Sequence, residues 1–406
     1  MELKEYKLGD IAEIVNGSTP TTTCPHYYDG DIVWITPKDL SEQKSKYIEK
    51  GERNITEAGF NSCSTHLIPK YNILLTSRAP IGLLAINKVA CCTNQGFKNL
   101  IVNKDIVDVD YLYYYLKYHI AEIEALGTGT TFKEVSKASM EKYTVSLPDL
   151  EEQKKVSSIL SALDAKISLN RQINQNLEAL ARQLYDYWFV QFDFPNEEGK
   201  PYKSSGGKMV YNPILKREIP EGWENIKLAE LVRLEDSKRI PLSTYERENR
   251  KGIYPYYGAT GIMDYIDDYL FDDEIILLAE DGSTSDEHGF PIVQYVWGKV
   301  WVNNHAHIIY PQNPNHKIYT YFMLKLIPVK LIETGSIQKK INQDNLLKYN
   351  SIKVPTNILD DFTKIVSPLW RKKMITTEEI LSLTKQRDEL LPLLMNGQVN
   401  FDLSDD

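Results

Sequence analysis

The chain has 406 residues, of which 42% are hydrophobic and 25% charged, and its formal net charge at pH 7 is −9. This length allows two domains with cores of their own, and the composition is that of an ordinary soluble protein. No apolar run approaches the ~18 residues of a membrane helix, and the polar start lacks the pattern of a signal peptide, so we expect a cytoplasmic protein. The acidic balance argues against a protein that binds nucleic-acid phosphates unaided, so such a role would depend on local basic patches or on a basic partner.

Residues 1–148 are predicted to form an α+β globule with many short strands. Runs of β-branched and aromatic residues predict strands at 31–35, 71–76, 83–86 and 99–102. A helical pattern follows from Asp110 to about Leu126. The chain's cysteines all lie in this half, form no CxxC pair and have no histidine pair at zinc spacing, so we interpret them as thiols in a reducing compartment: Cys24, Cys63, Cys91 and Cys92.

A long helix is predicted over 149–190, directly after Pro148. Asp149 is a natural N-cap, and Glu152 completes a capping box. Spacings that alternate between four and three residues form a heptad seam along it: Val156, Leu160, Leu163, Ile167, Asn170, Asn174, Leu177, Ala181, Leu184 and Trp188. Because neither proline nor glycine interrupts 149–189, the helix should be a rod roughly 60 Å long. The two asparagines on the seam indicate a specified partner helix.

Residues 191–222 are polar and turn-rich, and we interpret them as a linker. A second α+β globule is predicted over 223–355. Its strand-like and helical segments follow the order of the first globule, with strands at 274–278, 292–296 and 307–310 and a helix at 319–324.

The last segment, 356–406, carries a second helix and a tail. Its seam is interrupted by Lys373, Thr376 and Arg387, and its apolar members are Val366, Leu369, Ile380, Leu383, Leu390 and Leu394. Pro368 and Pro392 should kink or break the helix locally. We expect the two long helices to pair antiparallel within the chain, since neither buries its apolar stripe alone. A coiled coil between two chains remains the alternative.

The two halves repeat each other. Tyr6–Ala12 resembles Ile226–Val232, and Gly129–Tyr143 resembles Gly335–Tyr349 at a constant offset. The repeat is too long for a solenoid and indicates a duplicated domain. Because the framework repeats and the loops differ, the two globules should bind different targets.

Both sets of loops carry side chains that bind phosphates and base edges. In the first globule the candidates for DNA contacts are Thr22, Lys38, Ser77, Arg78, Asn94, Gln95, Thr130 and Lys133. In the second globule they are Tyr257, Thr260, Ser283, Asn304, His305, Lys339 and Lys340. Each could also be an ordinary solvated turn residue. His305 and His307 alternate along a predicted strand and should face opposite sides, so we expect no metal there.

The sequence shows no recognisable catalytic motif. The Gly-Lys pairs at 207–208 and 298–299 could each end a phosphate-binding loop. The glycine that this motif requires five residues earlier is absent, because Tyr202 and Val293 stand there. The tetrad of adenine methyltransferases, GxSxG and HExxH are also missing. Pro148–Lys154 superficially resembles a metal-nuclease motif, but helix capping explains its carboxylates better. We therefore expect a protein without chemistry of its own and without a metal or cofactor.

Three segments at the helix edges carry a family resemblance: Leu147–Asp164, Leu184–Phe194 and Leu390–Val399. They resemble those of the specificity (S) subunit of type I restriction-modification systems. The resemblance implies two target recognition domains that alternate with two conserved spacer helices. It also implies that each domain reads one half of an asymmetric bipartite DNA site, with the helical pair fixing the gap.

The resemblance further implies partners. Two methyltransferase (M) subunits would dock on the helices and methylate adenine at N6 with S-adenosylmethionine, and motor-nuclease (R) subunits would use ATP and Mg²⁺. Such a protein would bind DNA weakly when isolated. Two alternatives remain: an S-type subunit or domain of a type IIB or IIG restriction-methylation enzyme, and a double-headed coiled-coil adaptor that does not bind DNA.

Overall fold

The computed structural model describes residues 2–129, 133–335 and 339–398. The chain divides into two compact units, one formed by Met1–Gln172 with Thr376–Asp406 and the other by Ile173–Ile375. Each unit contains one α+β globule and a part of each of two long helices, which confirms the predicted fold class and the internal repeat.

The first globule consists of short strands and helices, and one long helix follows it. In chain order these are β1 Lys4–Lys7, α1 Leu8–Ile11, β2 Ala12–Asn16, β3 Tyr28–Ile35, α2 Pro37–Glu42, β4 Tyr47–Ile48, β5 Arg53–Ile55, α3 Glu57–Asn61, β6 Ile73–Ser77, β7 Ile81–Asn87, β8 Cys91–Thr93, β9 Lys98–Val102, α4 Val109–Tyr118, α5 Ile120–Ala125, α6 Lys137–Lys142, β10 Thr144–Leu147 and α7 Leu150–Tyr185.

Strand β6 of the first globule is buried along its whole length and lies in the middle of a sheet. One sheet has the strand order β2-β9-β6-β7-β4, another has β5-β3-β8, and β1 pairs antiparallel with β10. Strands β3 and β8 run parallel, whereas β6 and β9 run antiparallel. The apolar core joins β6 and β9 to α4, whose Tyr111 and Tyr114 are fully buried. This arrangement directs the ends of β3, β6 and β8 to one edge.

The second globule repeats the scheme. Its elements are β11 Met209–Asn212, β12 Arg217–Pro220, β13 Glu224–Lys227, α8 Leu228–Leu231, β14 Val232–Leu234, α9 Thr244–Asn249, β15 Lys251–Tyr257, β16 Ile262–Ile266, β17 Phe271–Asp272, β18 Ile275–Ala279, β19 Val293–Val296, β20 Lys299–Val302, β21 Ala306–Pro311, α10 Lys317–Leu324, β22 Glu333–Thr334, β23 Lys340–Ile341, α11 Gln343–Lys348, β24 Asn350–Lys353 and α12 Thr356–Met395.

Most strand pairings of the second globule match those of the first, although β4 in the first globule and β17 in the second have no counterpart. Its sheets have the orders β14-β21-β18-β19 and β16-β15-β20-β17, and β13 pairs antiparallel with β24. Strands β15 and β20 run parallel, as β3 and β8 do, and β18 and β21 run antiparallel, as β6 and β9 do. The repeat seen in the sequence is therefore a repeat of strand topology.

The segment that we interpret as a linker contains the antiparallel hairpin β11–β12. Phe192 and Phe194 at its start are buried, and Phe194 stacks on Trp223 with ring centroids 5.0 Å apart. These contacts attach the segment to the core of the second globule.

The long helix α12 continues through Pro368 and Pro392, so neither proline breaks it. A proline inside a helix costs about 3 kcal/mol because it removes one hydrogen bond and crowds the preceding turn. Val366 and Trp370, which flank Pro368, are both buried. Burial of apolar side chains of this size contributes about 1.5–3 kcal/mol each and outweighs the cost of the proline.

Within the first unit, the start of α7 packs against the end of α12. Val156 and Leu160 share a core with Leu391 and Leu394. Asp164 accepts a hydrogen bond from Arg387 at 2.8 Å. Because residue numbers rise along one helix as they fall along the other, the pair is antiparallel.

Within the second unit, the end of α7 packs against the start of α12. A five-residue π-helical turn, Asp186–Val190, extends α7, and the rings of Tyr185, Trp188 and Phe189 meet that of Phe362. The predicted antiparallel pairing within one chain is thus confirmed. The other predicted seam residues in both units are buried or half-buried: Leu163, Ile167, Asn170, Asn174, Leu177, Leu184, Leu369, Ile380, Leu383 and Leu390.

Candidate nucleic-acid interface

In the first globule, backbone hydrogen bonds gather four separate segments at one edge. The N–H of Asn94 donates to Ile35 at 3.1 Å, and the N–H of Ser77 donates to Gly96 at 2.7 Å. The N–H of Val135 then donates to Ser77 at 3.0 Å. We call this edge the first loop edge: it contains residues 36–38, 77–78, 94–96 and 133–134.

The second globule repeats the same hydrogen bonds. The N–H of Asn303 donates to Tyr257 at 3.0 Å, and the N–H of Glu280 donates to His305 at 2.8 Å. The N–H of Ile341 donates to Glu280 at 2.8 Å. We call this the second loop edge: it contains residues 257–260, 280–283, 303–305 and 339–340.

One asparagine shapes the turn at each edge. The side-chain Oδ1 of Asn94 accepts the N–H of Gly96 at 2.9 Å, and that of Asn303 accepts the N–H of His305 at 2.8 Å. Such local bonds are the usual reason for asparagine in tight turns. The next residues, Gln95 and Asn304, are exposed.

The residues predicted to contact DNA differ in how far they are exposed. Ser77 is buried and its hydroxyl donates to Gly96 at 3.2 Å, while Arg78, Asn94 and Tyr257 are half-buried. Thr130 lies outside the described residues. The remaining candidates are exposed: Thr22, Lys38, Gln95, Lys133, Thr260, Ser283, Asn304, His305, Lys339 and Lys340. Most of them lie at the two loop edges, and Thr22 lies on a nearby turn.

Carboxylates accompany the cations at both edges. Lys38 lies 2.7 Å from Glu52, and Arg78 lies 3.5 Å from Glu134. In the second globule the ion pairs are Lys339–Glu333 at 3.2 Å and Lys340–Glu280 at 2.7 Å, and the ring of His305 contacts Asp281 at 2.6 Å. The side chains of Lys38 and Glu52 are 60% and 69% exposed, and exposed ion pairs contribute little to stability, so Lys38 can exchange its carboxylate for a phosphate at small cost. The pairing also keeps either edge from being strongly basic.

A buried cation lies beneath the first loop edge. Lys98 on β9 contacts Glu134 at 2.9 Å and the hydroxyl of Ser77 at 3.3 Å. Neither Lys98 nor Glu134 was among the predicted residues. The sequence does carry a signal for this pair. Lys98 stands between Phe97 and the apolar run of β9, and a charge inside such a strand needs a partner.

A larger network of buried charges lies beneath the second loop edge. The Nδ1 of His307 contacts Asp236 at 2.5 Å, and its Nε2 contacts the carbonyl of Ile341 at 2.7 Å. Both ring nitrogens of His307 therefore face an oxygen atom. Glu280 in turn pairs with Arg239 at 2.5 Å. Asp236, Arg239 and Glu280 were not among the residues predicted from the sequence.

The network shifts the acidity of its carboxylates. Burial acts to raise the pKa of Asp236, but hydrogen bonds from His307, Ile308 and Gln343 outweigh it and hold the pKa below its ordinary value. Burial also acts to raise the pKa of Glu280, and the bonds from Lys340 and Arg239 again lower it. Both carboxylates are therefore ionised at neutral pH.

Three residues of this network lie close enough together to be a candidate metal site. Oxygen and nitrogen atoms of Asp236, Glu280 and His307 lie within 4.8 Å of one another. Both nitrogens of His307 already face oxygens, and Arg239 and Lys340 neutralise Glu280. The arrangement is a balanced ion-pair network that holds β21 against the segment around Ile341. As the alternation predicted, His307 points inward while His305 is exposed.

Among the described residues, no helix combines the length and the apolar character needed to cross a membrane. The duplicated α+β globules, the antiparallel helices and the two donor-rich loop edges define a protein with an internal repeat and one candidate binding edge in each globule. The family described as "Type I restriction modification DNA specificity domain" matches residues 1–179 and 220–382. The chain belongs to this family and is a non-catalytic specificity subunit of a type I restriction-modification enzyme.

Individual relatives agree with this assignment. The specificity subunit of the type I restriction enzyme MjaIX from Methanocaldococcus jannaschii is 34% identical over 97% of this chain and 92% of its own length. That of HindI from Haemophilus influenzae is 44% identical over 47% of this chain and 41% of its own length. The crystal structure of the S subunit from M. genitalium has the same fold, with a TM-score of 0.58 at 17% identity over 97% of this chain and 96% of that one.

Proposed function

We propose that this subunit reads an asymmetric, bipartite DNA site, with one half-site in the major groove at each loop edge. The observation that carries the proposal is the pair of equivalent edges with unlike side chains. Equivalent backbone hydrogen bonds place Ser77 where the second globule has Glu280, and Gly96 where it has His305. Because hydrogen-bonding side chains distinguish base pairs in the major groove, two unlike edges would read two unlike sequences.

The exposed side chains suggest a division of roles. Asn94 and Asn303 use their Oδ1 atoms within their own turns, which supports a structural role for both. Gln95 and Asn304 follow them, are exposed and carry amides that pair with adenine edges. Lys38, Arg78, Lys133, Lys339 and Lys340, at the same edges, would bind phosphates and position the duplex.

The domain organisation follows from this function. Residues 1–148 and 223–355 would be the target recognition domains, 149–190 and 356–406 the spacer helices with the tail, and 191–222 the connection between them. The helical pair would set the gap between half-sites, as half-site spacing is set in dimeric DNA-binding proteins.

Methylation and cleavage would come from partner subunits in the cytoplasm. Two M subunits would dock on the helices and methylate flipped adenines with S-adenosylmethionine. R subunits, recruited through them, would use ATP and Mg²⁺. The carboxylates at both loop edges and the net charge of −9 support weak DNA binding by the isolated chain.

Co-expression of the chain with its M subunit, followed by genome-wide mapping of N6-methyladenine, tests the proposal. We expect a motif of two different short sequences separated by a gap of fixed length. A palindromic or undivided motif would contradict two-domain reading. The absence of methylation despite assembly of the complex would favour an adaptor that does not bind DNA.

Lysine and arginine variants test the loop edges directly. Lys38→Ala with Arg78→Ala, or Lys339→Ala with Lys340→Ala, should abolish methylation while the complex with M subunits still assembles. Lys208→Ala is the matched control, because Lys208 is also exposed and paired with a carboxylate, Glu221, but lies on the segment 191–222. Loss of assembly in the edge variants would assign these residues to partner docking instead.

A further inference from the structure

The two loop edges differ in the element that follows the strand with a parallel partner. In the first globule β3 ends at Ile35, and Thr36 then caps helix α2. In the second globule the corresponding strand β15 ends at Tyr257, and the chain turns back at once as β16, with Tyr257 paired to Ile262. The second loop edge therefore carries a hairpin where the first carries a helix.

Hydrogen bonds hold the turn of this hairpin at the second loop edge. The N–H of Gly258 donates to the carbonyl of Gly261 at 2.8 Å and closes the turn. The side-chain amide of Gln294 on β19 donates to the carbonyls of Gly258 and Ala259 at 3.1 and 3.0 Å. A neighbouring strand of the second globule thus fixes where the turn lies.

Met263 lies beside this turn. The pairing of β15 with β16 shifts by one residue here, which leaves Met263 as the extra residue of a β-bulge. Bulges re-aim side chains and are common next to functional sites. The side-chain Nδ2 of Asn303 donates to the Sδ of Met263 at 3.3 Å. Because Asn303 directly precedes Asn304, the methionine lies next to a proposed base-reading residue.

Gly258 provides the space for the methionine side chain. A Cβ atom at position 258 would lie 2.4 Å from the Sδ of Met263 and 2.8 Å from its Cγ, so a larger residue would displace the methionine. Although it contacts Gly258 and Asn303, Met263 is 54% exposed. It therefore presents apolar surface at an edge whose exposed donors, such as Thr260 and Asn304, are polar.

The chemistry of DNA determines what such a side chain can contact. In the major groove a base pair presents hydrogen-bond donors and acceptors, and the one apolar group there is the C5-methyl of thymine. A methionine side chain is flexible and polarisable and adapts its shape to an apolar partner. An exposed methionine beside Asn304 therefore fits a thymine next to the base that Asn304 would pair with.

We propose that Met263 contacts the C5-methyl group of a thymine in one half-site and is a specificity-determining residue of this subunit. The proposal rests on the proposed reading of DNA by the second loop edge. Contact with the methyl group would exclude water from it and favour thymine over bases that lack it. Helix α2 stands at the corresponding place in the first globule, so the contact would belong to one half-site.

Deoxyuridine pairs as thymine does but lacks the methyl group, and it tests the contact in the complex of the full chain with its M subunit. It replaces each thymine of both half-sites in turn, and the rate of N6-adenine methylation is measured at limiting DNA concentration. We expect a loss of about fourfold at a position in one half-site, the factor that corresponds to burial of one methyl group. Equal rates at every position would overturn the proposal.

Substitutions in the chain assign the contact to Met263. Met263→Ala should methylate thymine-containing DNA about fourfold more slowly and show no further loss with deoxyuridine. Gly258→Ala, which displaces the methionine, should have the same effect, whereas Met263→Leu should keep the preference for thymine. Ile253→Ala is the matched control, because Ile253 is 78% exposed on the same hairpin, four residues before Tyr257. An unchanged thymine preference in Met263→Ala would contradict the contact.

The outcomes separate this contact from the function on which it rests. A palindromic or undivided motif would contradict bipartite reading itself. A bipartite motif that is methylated equally with thymine and with deoxyuridine would leave bipartite reading in place and refute the methionine contact alone. Failure of Met263→Ala to assemble with the M subunit would assign the hairpin to partner docking and would also refute the contact.

Discussion

Ser77 and Glu280 occupy the same place in the two globules. The N–H of each donates to a carbonyl two residues before a buried side chain, Lys98 or His307, and the carbonyl of each accepts an N–H from the segment before α6 or α11. One carries a neutral hydroxyl and the other a carboxylate. In the first globule the acid comes instead from Glu134, which contacts Lys98, and in the second Lys340 takes the corresponding role toward Glu280. The same scaffold thus supports opposite charge arrangements beneath two recognition surfaces.

The ion pair between Lys98 and Glu134 should stabilise the first globule. Lys98→Met is expected to lower the free energy of unfolding by about 1–3 kcal/mol, less than for a fully buried pair because Glu134 is 38% exposed. Urea denaturation of the full chain measures the change. The double variant with Glu134→Gln should recover part of the loss, and equal losses in the single and double variants would contradict the assignment.

The charge network of the second globule should make its stability depend on acid pH. Because Asp236 and Glu280 have lowered pKa values when folded, the unfolded chain binds more protons near their ordinary pKa values of about 3.9 and 4.3. Their contribution is therefore complete above that range and is lost as the pH falls through the lowered values.

Asp236→Asn tests this pH dependence. The difference in the free energy of unfolding between parent and variant should be large at pH 7 and shrink as the pH falls below about 4. Tryptophan fluorescence reports mainly on the second unit, because five of the six tryptophans, Trp301 among them, lie in Ile173–Ile375. Glu287→Gln, at an exposed position, is the control and should change the free energy of unfolding less. A difference between parent and Asp236→Asn that does not depend on pH would contradict the role of the network.

The helical pair of the first unit contains a buried ion pair that can be compared with an exposed one. Asp164 and Arg387 have side chains 13% and 15% exposed, and Asp164 also accepts from Tyr114 at 2.6 Å. Asp164→Leu alone should destabilise the protein by about 3 kcal/mol, because it leaves Arg387 uncompensated. The double variant with Arg387→Leu should lie closer to the parent.

The exposed pair between the same helices is the control for this cycle. Lys166 and Glu379, 49% and 41% exposed, lie 3.3 Å apart. Their replacement by alanine should change the free energy of unfolding by no more than about 1 kcal/mol. Thermal or urea denaturation measures the loss of stability for each pair. Equal losses would contradict the prediction that the buried pair contributes more to stability than the exposed pair.

Gln95 and Asn304 should each affect one half of the DNA motif. A bidentate contact to a base contributes about 1–3 kcal/mol of discrimination, so Gln95→Ala should relax one position of one half-site about tenfold or more. Asn304→Ala should relax a position in the other half-site only. Methylation of a library with randomised half-sites measures both, and a change in both halves from either variant would contradict independent reading.

Most of the fold was predictable because its signals are local. Helix α7 begins one residue after the predicted N-cap Asp149, whose carboxylate accepts the N–H of Glu152 at 2.9 Å. The predicted strands at 71–76, 99–102 and 274–278 are found within two residues of their expected bounds. The continuity of α12 through Pro368 was not predictable, because the burial that stabilises the helix comes from distant partners.

Local sequence signals are enough to predict the duplication, the two long helices, their caps and the loops that carry polar donors, since periodicity and capping act over a few residues. The three-dimensional fold, in contrast, turns Ser77 inward, buries Lys98 and His307, and brings segments far apart in the chain together at each loop edge. Those outcomes depend on strand pairings between distant residues. A side chain's neighbours across a sheet, and therefore its exposure and charge partner, are not encoded by its own local pattern.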